Sequence, residues 1–474
     1  MDKPEAENIY NSGKEPTVTK LLEQDDQIKK LKAKIASLSQ NSSNSSKPPS
    51  SDGPAQRYPK KRQPSGRKPG GQKGHKGKKR TVLPAEEMDH INHLYPAGCE
   101  KCGAHLLAGT DSKIIQRHQV TELPVIKPIM TEYRCHGTRC SCGHFNTAMP
   151  PEEVAKSNFG PRVHAAASYL AAEHNVTRRG MVEIMGAFFN IDMSLGVTWN
   201  MVERVSNACE PGYESLKKYS PKTLYLNIDE TGWKNNGQRR WLWTFVAEIC
   251  VVFVIAASRG SKVIKTTLGE SYDGILCSDD YSAYSAYHKN GIRQLCWAHL
   301  IRKLKGLKDS RSSPDAYRFS ANMLKETGRL FSYWHAFLET DNVTREELWL
   351  ATALIRGRMK RLCNHYVESE DASVRTRAKR FLKIWEYLFV FLLHEGVEPT
   401  NNVAERALRP AVQWRKICFG SKSEKGERFT ERILTITRTC RMQGRNPFEH
   451  LTNLVTASFV NKPLPSLLPE PTNS

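Results

Sequence analysis

The stretch Thr223-Leu-Tyr-Leu-Asn-Ile-Asp-Glu-Thr-Gly-Trp233 decides how the rest of the chain is read. Its first six residues alternate and favour β structure, so they predict a strand with Asp229 and Glu230 at its exit. A turn at Asn235-Asn236-Gly237 leads to β-rich runs over 240–247 and 249–257, which together predict an antiparallel meander. A helical stretch over 261–268 follows. Then Gly274-Ile-Leu-Cys-Ser278 reads as a short buried strand that ends in Asp279-Asp280-Tyr281. Residues 292–296 are strand-like, and a long helical section runs to about 394. The expected fold class is α/β, with two strands delivering carboxylates at their ends.

Carboxylates grouped on adjacent strands suit Mg²⁺, an oxygen-loving ion that takes only one or two protein ligands. Two such ions clamp the attacking and leaving oxygens of an in-line phosphoryl displacement. The third acid that such a pair of sites requires is best supplied by Glu405, in Asn401-Asn-Val-Ala-Glu-Arg-Ala-Leu-Arg-Pro410. That segment predicts a helix stopped near Pro410. Glu405 and Arg409, and likewise Asn402 and Arg406, stand at i, i+4 spacing. Each acid alone has an ordinary reading: an Asp at a strand end is usually a turn residue, and a Glu four before an Arg is usually a solvated helix pair.

The chain has 474 residues and carries 71 Lys and Arg against 49 Asp and Glu, a net charge of +22 that calls for a polyanionic partner. The most apolar run, 242–257, is too short to span a bilayer and contains Glu248, so a membrane segment is not expected. The polar, acidic start over 1–16 has no leader-like core. A cytoplasmic, nucleoid-associated protein of a prokaryote is the expectation, with the 12 cysteines as thiols or metal ligands.

Ahead of the strands the chain changes character four times. Leu21, Ile28, Leu31, Ile35 and Leu38 occupy a and d positions of a heptad over 18–38, which predicts a coiled-coil or helical segment and a homo-oligomer. From 41 to 80 Leu, Ile, Val and Phe are absent, which predicts a disordered linker. Its basic residues Arg57, Lys60, Lys61, Arg62, Arg67, Lys68, Lys73, Lys76, Lys78, Lys79 and Arg80 would neutralise DNA phosphates without reading sequence. Cys99-x-x-Cys102-Gly and Cys140-x-Cys142-Gly then repeat the pattern of a zinc knuckle, and four thiolates would close a structural Zn²⁺ site. Cys135 is an alternative ligand, and His105 or His144 stands near enough in sequence to enter. Helical runs over 162–173, 178–190 and 195–206, broken at 191–194 with Ser194 as an N-cap, fit a helix-turn-helix.

Five blocks carry a further inference: 41–52, Asp229-Glu-Thr-Gly-Trp233, Ser278-Asp-Asp-Tyr-Ser-Ala-Tyr284, Cys296-Trp-Ala-His299 and 401–410, with Arg415-Lys416 and Gly420-Ser421 beyond. In this order they resemble the transposases of the insertion-sequence-66 family, over nearly the whole chain. The resemblance implies an RNase H-like catalytic domain whose Asp229, Asp279 and Glu405 bind two Mg²⁺ ions for cleavage and transfer of DNA strands. Asp280 stands where the family often has Gly or Arg. The domain plan that follows is a coiled-coil segment (1–40), a basic linker (41–85), a zinc-binding module (86–150) and a helical DNA-binding region (151–218). The catalytic domain would span 219–451, with a mostly helical insertion over about 303–398, before a tail (452–474). Arg406, Arg409, Arg415 and Lys416 would hold the phosphodiester beside the third acid. The implied partners are the element's terminal inverted repeats, target DNA, a second copy of the chain and accessory proteins of the same element. A non-catalytic descendant that only binds DNA, or a structure-selective nuclease on the same fold, are the rival readings.

Overall fold

The computed structural model describes residues 3–38, 41, 44, 45, 81–106, 113–310 and 312–469. The eleven basic residues from Arg57 to Arg80 lie outside the described residues. The chain divides into two units, 55–128 and the remainder. In the smaller unit the described segments hold one 3₁₀ turn, Ala85–Glu87, and the Leu83 backbone is bonded on both sides by the Gln119 amide.

The larger unit begins with α1 (Lys3–Asn11) and α2 (Lys14–Leu38), where Leu21, Ile28, Leu31, Ile35 and Leu38 are all exposed. A short hairpin, β1 (Gly137–Arg139) with β2 (Phe145–Thr147), precedes α3 (Glu152–Ala155), α4 (Pro161–Glu173), α5 (Arg178–Phe189) and α6 (Leu195–Tyr219). Thr177 and Ser194 cap α5 and α6 by accepting from Gly180 N and Val197 N, satisfying donors that a helix start leaves free. The second helix of this pair does not end near 206. It runs on to Tyr219 because Val202, Val205, Cys209, Tyr213 and Leu216 continue a buried stripe against the sheet, and that packing carries it past Pro211.

Five strands form one mixed sheet in the order β5-β4-β3-β6-β7. β3 (Tyr225–Asn235), β4 (Gln238–Val246) and β5 (Val251–Ala256) are the antiparallel meander, and β6 (Ile275–Ser278) and β7 (Arg293–Leu295) add to β3 in parallel. Between them stand α7 (Ser261–Leu268) and α8 (Ser282–Tyr287). Burial on both faces follows the two-residue period: Leu276 enters a core made with α6 and the C-terminal helices, whereas Ile275 and Cys277 enter a second core. That second core belongs to α9 (Trp297–Ser310), α10 (Pro314–Glu339), α11 (Arg345–Ala351), α12 (Ala353–His365) and α13 (Ala372–Lys383).

The chain returns to the first core with α14 (Asn402–Cys418), α15 (Glu424–Met442) and α16 (Pro447–Phe459). Along the outer side of β5, the N–H groups of Val251, Phe253 and Ile255 donate to Thr439 Oγ1, Thr435 Oγ1 and Glu431 Oε1 at 3.1, 3.0 and 2.6 Å. Four residues of helix rise about 6 Å and two residues of strand about 6.6 Å, so the three pairs stay in step.

Two expectations are corrected here. Asp229 is not at the exit of its strand: pairing with β4 extends from Asn227↔Val246 to Asn235↔Gln238, so β3 carries the acids in its middle. The helix over the third acid does not stop at Pro410. Pro410 is buried within α14, where its ring costs one backbone hydrogen bond, and contacts of Ala404, Leu408 and Ala411 with the core hold the helix through it.

Candidate active site

The β3–β6 register aligns Tyr225 with Ile275, Leu226 with Leu276 and Asn227 with Cys277. Two further steps along the same offset bring Asp229 level with Asp279, the first residue but one beyond β6's last paired position. Side chains in equivalent positions of neighbouring parallel strands share a face, so the two carboxylates are neighbours by backbone geometry alone. Asp279 Oδ1 accepts from Tyr281 N at 2.9 Å, and Asp229 Oδ1 from Glu230 N at 2.9 Å.

Glu405 arrives from the first turn of α14, and Asn401 determines where that turn sits. The Asn401 side chain is buried, donates to Ile228 O at 2.8 Å and accepts from Asn227 Nδ2 at 2.9 Å, while its N–H meets Cys296 Sγ at 3.1 Å. The helix is thereby tied to the strand residue immediately before Asp229. Its far end is tied too: Ser421 N donates to Lys234 O at 2.8 Å and Trp233 Nε1 to Ser421 Oγ at 3.1 Å. Gly420, at φ +108, is required there, since an added Cβ would stand 2.2 Å from Lys234 O.

Asp229 feels the charges around it. Burial pushes the Asp229 carboxyl well above the ordinary carboxylate range, and the charges of Glu230, Asp279 and Glu405 push the same way. Burial also raises Asp279. Asp280 is otherwise engaged: Arg380 of α13 binds it through two bonds, Nε to Oδ2 at 3.0 Å and Nη2 to Oδ1. Of the two adjacent aspartates, Asp279 is the one whose charge acts on Asp229.

Glu405 Oε1 lies 3.4 Å from Arg302 Nη2 and 3.8 Å from His299 Nδ1, both on α9. Burial, then the charges of Arg302 and Lys303, push His299 down to about 3, so it stands beside Glu405 as a neutral imidazole. On the other side of β3, Glu230 is bound by Arg259 at 2.6 Å and by the Tyr284 hydroxyl, and Arg259 lies over the Tyr281 ring 4.0 Å from its centroid. Arg415 is turned inward, donating to Thr231 Oγ1 at 3.0 Å and to Gly232 O. Arg406, Arg409 and Lys416 are exposed.

The donor set at Asp229, Asp279 and Glu405 is all oxygen and crowded with like charge, which fits a hard divalent cation. Among the described residues, however, no three His, Cys, Asp or Glu groups are gathered closely enough to hold one ion. The same holds for the thiols. Cys99 and Cys102 belong to the smaller unit, and Cys135, Cys140 and Cys142 to the larger. Each knuckle nonetheless makes the same turn. Cys99 N donates to Ala104 O and Gly103 N to Cys99 O; Cys140 N donates to His144 O and Gly143 N to Cys140 O, one residue tighter. The backbone N–H of Cys102 lowers the Cys99 pKa, and that of Cys142 lowers Cys140, as suits thiolate ligands.

Sequence reading missed Glu230, Arg259, Asn401 as an anchor, and the placement of His299 and Arg302 on α9 beside Glu405. The spacing of those last two, at i and i+3, was a visible signal once 296–299 was singled out. Arg259 had none, because its acidic partner is distant in sequence.

Comparison with known proteins gives the same direction. A family model described as "Transposase IS66 family" matches residues 156–428, and a "Family of unknown function (DUF6444)" matches residues 1–81. The uncharacterized protein y4qI of Sinorhizobium fredii is 28% identical over 318 residues, 62% of this chain, and the chain covers little more than half (56%) of that protein's length. The uncharacterized protein y4hP of the same organism is 22% identical over 411 residues, 78% of this chain and 72% of its own. No helix among the described residues is long and apolar enough to cross a membrane.

Proposed function

Since the chain belongs to the IS66 family of transposases, we propose that it binds the ends of its element and cuts and transfers DNA strands through Asp229, Asp279 and Glu405. The observation that supports this reading is the parallel pairing of β3 with β6, whose offset, continued two residues, matches Asp229 with Asp279, together with Asn401 tying the Glu405 helix to Ile228 of the same strand. The sheet order, with three antiparallel strands continued by two parallel ones, supports an RNase H-like domain. The three carboxylates would hold Mg²⁺, which supplies activation of a water or a DNA 3′-hydroxyl and stabilisation of the leaving oxygen. Asp229 and Asp279 present oxygens from a rigid sheet. Glu405 completes the set from a helix whose two ends are pinned to the same strand, and Arg302 holds its carboxylate in place. Arg406, Arg409 and Lys416 present cations on the exposed surface of that helix, where a DNA backbone would lie. Arg415 serves differently, bracing the strand next to the acids. The paired knuckles Cys99/Cys102 and Cys140/Cys142 would take structural Zn²⁺.

The test is a nicking and joining assay on DNA carrying the element ends, with Mg²⁺. Wild-type protein should give cut and target-joined products; D229N, D279N and E405Q should give neither while still binding DNA. Cutting by any of the three would remove that residue from the site, and cutting without joining would identify a nuclease.

A further inference from the structure

The helical segment between β7 and α14 sends two cations to the carboxylates that nothing in the fold uses. Lys303 on α9 and Arg377 on α13 are both half-buried, and the Asp280 charge acts on each of them. Their neighbour Arg380 is occupied by Asp280, and Arg302 is occupied by Glu405. Lys303 and Arg377 make no ion pair or hydrogen bond with any described residue, and the Arg377 Nε is buried without a partner. Taking a cation out of water without a bonded partner is costly, so Arg377, three residues before the Arg380 that binds Asp280, and Lys303, next to the Arg302 that binds Glu405, mark a place that an anion completes.

We propose that Lys303 and Arg377 form a cradle for the backbone of the DNA strand being cut, each facing one phosphate, so that the helical segment is part of the catalytic surface. The proposal rests on the reading of Asp229, Asp279 and Glu405 given above. A lysine supplies a point charge and an arginine a directional fork, and together they suit a phosphodiester backbone. Neither cation lies on α14, so the cradle is distinct from the contacts assigned to Arg406, Arg409 and Lys416.

The experiment measures binding of the full chain to a fluorescent DNA duplex of arbitrary sequence, without added divalent cation, as a function of salt. Each lost phosphate contact lowers the slope of log K against log salt by about 0.9. K303Q should show one such loss and K303Q/R377Q about two, whereas K303R/R377K should keep the parent slope. Thermal melting of K303Q should not fall below the parent, because an unpaired cation has been removed from a half-buried position. An unchanged slope in K303Q/R377Q would overturn the cradle, as would a lowered melting point in K303Q, which marks a structural lysine. Should R377Q fail to fold, the K303Q slope alone decides. D229N in the cleavage assay separates the two readings. A D229N protein that cuts defeats the assignment of the acids, whereas a dead D229N beside a K303Q/R377Q variant with parental slope and cutting defeats only the cradle.

Discussion

The acids of the sheet and the thiols of the knuckles reach their positions by opposite routes. Asp229, Asp279 and Glu405 are far apart in the chain, and a strand register plus one buried asparagine position the elements that carry them. Cys99 and Cys102, or Cys140 and Cys142, are neighbours in the chain, and each pair is held by a turn of a few backbone bonds with its thiols at the surface. The first arrangement exists because a core exists. The second has no core beneath it and depends on what the thiols bind. A site built by packing tolerates loss of its ion; a site built by a turn does not.

The largest effect should therefore appear at the knuckles. Removing zinc with a chelator should abolish amide exchange protection over 94–106 and 135–147 while protection in β3 and β4 is unchanged. Protein purified without chelator that contains no zinc would break the contrast. Next comes the asparagine that pins α14: N401A should reduce strand cleavage about 10–100-fold, as loss of a residue that orients a ligand does. It should also raise the Mg²⁺ concentration needed for half-maximal cleavage, which a general loss of folding would not do.

A smaller effect belongs to the charge crowding at Asp229. Its folded pKa is raised, so the folded chain holds that proton more tightly than the unfolded one. The resulting penalty is absent below the unfolded value and complete once the pH exceeds the folded one. Without divalent cation at neutral pH, D229N should consequently raise the melting temperature, and added Mg²⁺ should raise that of the wild type but not of D229N. The smallest effect concerns Glu431, which burial pushes up to about 7. Its contribution to stability is intact near pH 4 and is lost as the pH climbs to about 7. E431Q keeps an acceptor for Ile255 N–H, so its denaturation midpoint should fall less over that range than the wild type's.

Much of the sheet was legible because strands here alternate or run apolar between Gly and Asn turns. The middle of β3 was not, since Asp229, Glu230 and Gly232 have weak strand preference and it is pairing with β4 that keeps them extended. The three acids were legible from their blocks of sequence. Their surroundings were not: Asn401 looks like one more polar residue before a helix, and its value lies in Ile228 and Asn227, 173 and 174 residues away. Pro410 misled for a related reason, because a local rule about helix interruption was outweighed by tertiary burial.

The line of bonds from Glu431, Thr435 and Thr439 to β5 has a consequence for how copies of this chain can meet. An open sheet border with free N–H groups is a template onto which an extended segment of another molecule can add. Here a helix stands in for that segment, and at the other border β7 offers three residues. Pairing of two sheets into one is thus closed off at the long border. Copies of this chain that meet would therefore do so away from the long border, which would leave the sheet that carries the acids undistorted.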